Sequence, residues 1–158
     1  MWLVLKSLNL VAMPSNTILK TMNFIHRGVI GITRGKLGWE VARMPAITLT
    51  TIGRNSGQNR QVILTTPYRT SKFILVVASR GGDDRHPDWY LNILMNPSVT
   101  IRDQGGVEKA MTASLPDQNQ YSELWGLVIE EHPRYLTYQE KTDRQIPLVL
   151  LKESSIPT

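Results

Sequence analysis

The chain has 158 residues, 41% of them hydrophobic and 20% charged, and no cysteine. That size and balance describe one globular domain and exclude a disordered chain, and the missing cysteine excludes disulfides, thiolate metal sites and a cysteine nucleophile. The net charge of +5 sits at one end: residues 1–44 carry six Lys and Arg against the single Glu40, and the rest of the chain is balanced. A basic, apolar leading segment suits an anionic membrane surface. No motif of a nucleic-acid binder accompanies it, so nucleic acid is not an expected partner.

Residues 1–14 read MWLVLKSLNLVAMP. Lys6 interrupts the apolar run, no small-residue cleavage site follows, and no apolar stretch reaches the ~18 residues of a spanning helix. The segment is read as neither a signal peptide nor a membrane span, and Met13 is a candidate second start. Residues 15–31 predict a helix capped by Ser15 or Asn16, with Ile18, Leu19, Met22, Phe24, Ile25, Val29 and Ile30 on a broad apolar face. Gly28, Gly31 and Gly35 weaken or end it. Its apolar face packs on the domain or lies on a membrane. The expected organisation is one domain: a basic helical segment over 1–44, then a β-rich body over 45–158.

In the body, PAITLTTI (45–52) is rich in β-branched residues and predicts a strand. GRNSGQNR is a tight turn, QVILTTPY (61–68) the returning strand, and KFILVVAS (72–79) a strand whose continuous apolar run predicts burial on both faces. A glycine-rich loop, SRGGDDRHP, leads into a short helix over 87–95, with Pro87 placed at its first helical position. Residues 98–103 and 107–114 form a hairpin about Gln104-Gly105-Gly106. Residues 117–131 predict an amphipathic helix capped by Asp117, residues 132–145 are part helix and part loop, and IPLVLL (146–151) is a last strand. Hairpins dominate, so the fold class is mainly β with flanking helices (α+β), an antiparallel sheet closed or half-closed into a barrel.

The chain has no G-x-G-x-x-G that opens a helix, no Walker A loop and no G-x-S-x-G elbow, and its three histidines lack ligand spacing, so no metal site is expected. Enzyme chemistry in such a chain belongs to a bound cofactor. Two loops suit an anionic or planar ligand. In Gly53-Arg54-Asn55-Ser56-Gly57 with Arg60, glycine turns aim backbone N–H groups and arginines offer forked donors; the plainer alternative is a hairpin turn with solvated arginines. In Ala78-Ser79-Arg80-Gly81-Gly82, the double glycine lets backbone approach a planar group; the alternative is a connector. Trp89 and Asn92 follow on the short helix. Tyr135 and Tyr138, three apart, share a helical face and form either a pocket wall or a packing face.

The order and spacing of three segments go further. LTTIGRNSGQNR, then VVASRGGDDRHPDWYLNILMNPSVTI, then HPRYLTYQEKTDRQIPLVLL resemble the deazaflavin (F420)-dependent nitroreductases of actinobacteria over about residues 45–151. The runs HPxWYxNxxxNPxV and YQxxTDRxIP carry that resemblance. It implies a split β-barrel, FMN-binding-like, and an oxidoreductase that passes a hydride from reduced coenzyme F420 to a nitroaromatic, quinone or similar conjugated acceptor. It implies that the phosphate and glutamates of the cofactor tail lie along Arg54, Asn55, Ser56, Gly57 and Arg60. The ring would lie near Ala78, Ser79, Arg80, Gly81 and Gly82, with Trp89 and Asn92 in support. Ser79, Tyr135 and Tyr138 would be the catalytic and acceptor-facing residues. Asn55 and Arg80 stand where the family commonly has lysine, Ile63 where it has proline, and His132 where it has tyrosine. A quinone acceptor implies work in the cytoplasm at the inner membrane face, with the basic leading segment as a peripheral contact. The same barrel also admits an FMN-dependent reductase, with Arg54 and Arg60 on one phosphate, and a non-catalytic lipid or tetrapyrrole carrier.

Overall fold

The computed structural model describes residues 40–41 and 44–154; the predicted helix over 15–31 lies outside the described residues. Among the described residues there are eight strands and three α-helices. Strands β1 (Glu40–Val41), β2 (Met44–Ile52), β3 (Asn59–Thr65), β4 (Tyr68–Arg69) and β5 (Ile74–Val77) precede helix α1 (Asp88–Met95). The hairpin of β6 (Ser98–Arg102) and β7 (Glu108–Ser114) leads to α2 (Gln118–Glu131), α3 (Arg134–Gln139) and β8 (Leu148–Glu153).

Every strand pair is antiparallel, and the sheet runs β3-β2-β6-β7-β8-β5-β4, with β1 added at the start of β2. The two ends of that path, β3 and β4, are joined by Thr66-Pro67 alone. Three virtual Cα bonds reach about 11 Å at most, so the sheet must curl until its ends approach. Thr66 secures the link by donating its N–H and hydroxyl to the Pro45 carbonyl at 2.8 and 3.2 Å. The result is the expected split barrel.

The central strands β5 and β8 are buried on both faces, as the unbroken apolar run predicts. Ile74, Val76, Val149 and Leu151 join Trp89, Tyr90 and Ile93 of α1 in one core. Leu75, Val77, Leu148 and Leu150 point the other way and meet Leu124 and Val128 of α2 and Tyr135 of α3 in a second. The period-2 alternation of a strand thus divides a single hydrophobic run between two layers.

Register sets which connections share an end. Ile52 pairs with Asn59, Thr50 with Thr100, Ser114 with Leu150 and Val77 with Leu148. The end of β2, the start of β6, the ends of β5 and β7 and the start of β8 therefore lie at one end of the barrel. The β2–β3 turn, the β5–α1 loop and the α3–β8 loop all emerge there.

Several boundaries move for identifiable reasons. The strand expected over 61–68 stops at Thr65, because Pro67 has no N–H to give a ladder, and resumes as β4. The strand expected over 72–79 narrows to Ile74–Val77, since Thr70 binds the Phe73 carbonyl and N–H in a turn before it. The last strand begins at Leu148, not Ile146, because the Ile146 N–H is taken by the Gln139 amide oxygen at 2.9 Å. It runs on to Glu153, opposite Met111. Pro87 occupies the cap position just before α1 and not its first turn. Asp117 caps α2 as expected, accepting from the Gln120 N–H at 2.9 Å.

Leu75 is fully buried, on the strand that serves both layers, whereas Leu136 on α3 is 42% exposed. Leu75→Ala should cost about 2–5 kcal/mol, and Leu136→Ala no more than about 0.5 kcal/mol. Urea unfolding of the two variants checks this; equal midpoints would contradict the two-layer description.

Candidate functional site

The β2–β3 turn over 53–58 is tight. A Cβ at Gly53 would come within 2.7 Å of the Ser56 hydroxyl, and Gly57 turns through a φ of 66°. Most of its backbone N–H groups are turned inward, as in the plainer hairpin reading. Gly53 donates to the Gln58 carbonyl at 2.8 Å, Ser56 and Gly57 donate to the Gly53 carbonyl at 3.2 and 2.8 Å, and the Arg54 N–H is taken by Asn92 Oδ1 at 3.1 Å. A turn of six residues closes largely on itself because so short a loop must satisfy its amides locally. What remains to offer is side chains. Arg60 is exposed, touches the Ser56 hydroxyl at 3.2 Å and has no acidic partner among the described residues. Arg54 reaches across to α1, pairing with the exposed Asp88 at 3.2 Å and with Asn92 Oδ1 at 3.2 Å.

Asn92 is the rivet of this corner. It is 4% exposed, its Oδ1 accepts from both the backbone and the side chain of Arg54, and its Nδ2 donates to the buried Thr51 hydroxyl at 3.0 Å. A buried amide with all of these bonds made fixes the turn on the helix.

The β5–α1 loop starts from Ala78, which is wholly buried. It then makes a single helical turn over Arg80–Gly82, in which Arg80, Gly81 and Gly82 all take positive φ (50°, 71° and 86°). At Gly82 a Cβ would stand 2.5 Å from the Tyr138 carbonyl, so only glycine lets α3 pack this closely. At Gly81 no heavy atom lies within 4 Å of the same position, so its Cα face is open. Ser79 Oγ accepts weakly from the Gly81 N–H at 3.5 Å.

The sequence sets Thr142-Asp143-Arg144 beside Tyr135 and Tyr138 and gives Arg144 no role, yet this residue organises the loop. Arg144, on the α3–β8 loop, donates from Nε to the Asp83 carbonyl at 2.8 Å and from Nη2 to the carbonyls of Ser79 at 2.8 Å and Ala78 at 3.3 Å. Its neighbour Thr142 donates to the Asp84 carboxylate at 2.8 Å. Burial lowers the Arg144 pKa from its ordinary value. Asp83, hydrogen-bonded by the side chain and N–H of Arg85, is held down at about 2 and stays ionised. The TDR run is distinctive in the sequence, but the carbonyls that Arg144 binds lie 61 to 66 residues away and no local pattern reveals them.

The exposed cationic β2–β3 turn and the glycine-lined β5–α1 loop thus emerge at the same end of the barrel. The profile of the F420H2-dependent quinone reductase family matches residues 25–153. The chain belongs to that family. An F420H2-dependent quinone reductase of Mycobacterium tuberculosis is 37% identical over 138 residues, covering 85% of this chain and 89% of the relative. The solved structure of an F420-H2 dependent reductase has a TM-score of 0.60 at 38% identity, over 68% of this chain and 94% of the other. A second solved chain, described as a domain-swapped dimer, has a TM-score of 0.63 at 34% identity, over 84% and 99%. As a member of the F420H2-dependent quinone reductases this protein is an oxidoreductase, and its cofactor is coenzyme F420.

The donor set fits that cofactor. Arg54, Arg60 and the exposed Asn55 and Ser56 present charge and hydrogen-bond donors to a polyanion. The open face of Gly81, next to the half-buried Ser79 and Arg80, suits a planar ring. Trp89 is buried in the α1 core, edge-on to Tyr90. Tyr135 is buried, and its hydroxyl hydrogen-bonds the Thr65 hydroxyl at 2.9 Å. Tyr138 is half-buried, edge-on to Tyr135, with Arg134 and Lys141 over its ring at 5.9 and 5.7 Å. His132 caps the end of α2, at the corner where α3 begins.

His86 ends the loop, with its ring 4.9 Å from Tyr90 and Nδ1 3.4 Å from Arg144 Nη1. Burial, and then the Arg144 charge, lower its pKa below the ordinary 6.5. A depressed folded-state value means that the stability gained by keeping His86 neutral is present above pH 6.5 and is lost as pH falls through the folded pKa. His86→Gln should therefore lose less stability than the parent between pH 7.5 and pH 5.5, read from urea midpoints. Parallel losses in the two proteins would sink the assignment.

Proposed function

We propose that this chain passes a hydride from reduced F420 to a quinone, or to a nitroaromatic of similar shape and electron demand, across the Ala78–Gly82 loop. The observation that carries the reading is the emergence of the exposed arginine turn and the open Gly81 loop at one end of the barrel, with the Tyr138 carbonyl packed against Gly82. Reduced deazaflavin supplies the hydride; with one proton it converts a quinone to a quinol.

The chain's own task is to bind and align. Arg60 and Arg54 hold the tail phosphate and carboxylates, with Asn55 and Ser56 adding neutral donors. Engaging Arg54 competes with its ion pair to Asp88, a surface pair of ~0–1 kcal/mol that an anionic tail can replace. Ala78, Arg80, Gly81 and Gly82 would support the ring, and Ser79 would hydrogen-bond through its hydroxyl to negative charge growing on the acceptor oxygen, keeping its proton. Tyr138, flanked by Arg134 and Lys141, is the aromatic wall for the acceptor. Tyr135, Trp89 and Asn92 serve from behind, by fixing Tyr138, α1 and Arg54.

Titration of the purified chain with F420 and with FMN tests the tail assignment. Arg60→Ala should weaken F420 binding roughly tenfold, the value of one exposed charge-assisted contact, and leave unfolding unchanged. F420 affinity indifferent to Arg60→Ala and to Arg54→Ala would remove the tail from this turn.

The basic charge of residues 1–44 favours an anionic bilayer by ~1 kcal/mol per Lys or Arg at the surface. On this reading the protein meets a lipid-soluble quinone at the membrane face. The full chain should co-sediment with vesicles containing phosphatidylglycerol and not with pure phosphatidylcholine; no sedimentation with either would refute the membrane contact.

A further inference from the structure

Arg144 points to a role that the site residues do not cover. Its guanidinium lies inside the arc of the β5–α1 loop and gathers carbonyls from both ends of it: Ala78 and Ser79 at the start, Asp83 at the finish. Between those points the backbone runs through three consecutive residues of positive φ, one of them the non-glycine Arg80. A left-handed non-glycine residue is sterically unfavourable and persists only where its surroundings hold it. A planar fork with five donors can bind carbonyls on two of its edges at once, which the single ammonium of a lysine cannot do with the same geometry.

Arg144 is in turn braced from behind. The Gln139 amide donates to the Arg144 carbonyl at 2.8 Å and to the Thr142 carbonyl at 3.1 Å, while its oxygen accepts from Ile146. Thr142 ties the same loop to Asp84. The chain of support runs from the β8 entry through Gln139 to Arg144, and from Arg144 to the backbone of Ser79–Asp83. No part of it uses the arginines of the β2–β3 turn.

We infer that Arg144 is a positioning residue for hydride transfer: it fixes the conformation of the Ser79–Gly82 backbone and so the seat of the ring, without touching cofactor or acceptor. The inference rests on the proposed placement of the ring on this loop. It separates two functions: affinity resides in the β2–β3 turn and rate in the Arg144 clamp. Misplacement of a reacting group by about 1 Å can cost ~100-fold in rate.

The test uses the full chain with Arg144→Lys and Arg144→Ala. In cofactor-free protein, amide exchange at residues 79–83 should quicken in Arg144→Lys, while exchange in β5 and β8 stays at the parental rate. With F420H2 bound, single-turnover hydride transfer to a soluble quinone should fall ~10–100-fold, and F420 affinity should change less than about threefold. Low millimolar ethylguanidinium should restore part of the rate in Arg144→Ala and none in Arg60→Ala. Parental transfer rates in both Arg144 variants would overturn the positioning role, as would losses of rate and affinity that merely follow the folded fraction. Failure of the parent chain to bind F420 would instead sink the functional reading; the exchange result would then still decide whether Arg144 holds the loop.

Discussion

The two-residue link between β3 and β4 is the constraint on which the rest of the molecule depends. Thr66-Pro67 joins strands that stand at opposite ends of the sheet path. Joining them forces the sheet to curl, and curling creates an inside and an outside. The inside takes α1, with Trp89 and Ile93; the outside of β5 and β8 takes α2 and α3. Because all the pairings are antiparallel, the loops after β2 and β5 and before β8 emerge together. The site is a consequence of closure, and three loops distant in sequence meet without any of them being long.

Two polar side chains convert that proximity into a fixed arrangement. Asn92 joins the β2–β3 turn to α1, and Arg144 joins the α3–β8 loop to the β5–α1 loop. Both are bonded through most of their donors and acceptors, and Asn92 is buried. In such surroundings a lost partner leaves an unsatisfied group at about 1–3 kcal/mol, so alternatives are suppressed. The surface pairs of the same region, Arg54 with Asp88 and Arg85 with Asp83, are exposed on at least one side and screened by solvent. The rigid members therefore set the frame and the solvated ones can exchange partners.

Much of this was legible in the sequence and some was not, for a physical reason. Hydrophobic periodicity reports burial, and so β2, β5, the β6–β7 hairpin and the Asp117-capped α2 could be read directly. The same periodicity gives no partner, so the division of KFILVVAS between two cores required the sheet order. Strand ends at Thr65 and Leu148 depend on a missing proline N–H and on the Gln139 side chain, and only the first has a sequence signal. The β2–β3 turn was rightly read as tight, but its amides close on themselves and on Asn92, 38 residues away. Arg144 is visible in the sequence only as part of the YQxxTDRxIP run; its meaning lies in carbonyls 61 to 66 residues distant.

The family assignment sharpens what the charge distribution of the body means. Residues 45–158 are electrically balanced overall, yet Arg54 and Arg60 stand together on one turn while Asp88 is the carboxylate within reach of Arg54. On the proposed reading a polyanionic tail displaces Asp88 from Arg54 and meets Arg60 directly. The Asn92 bonds to the Arg54 backbone and to Thr51 are independent of that exchange. Capture of the tail then costs one weak surface pair and leaves the barrel, the Gly81 face and the Arg144 clamp undisturbed. On that proposal the site would bind an anion at its rim without altering the backbone proposed to seat the ring.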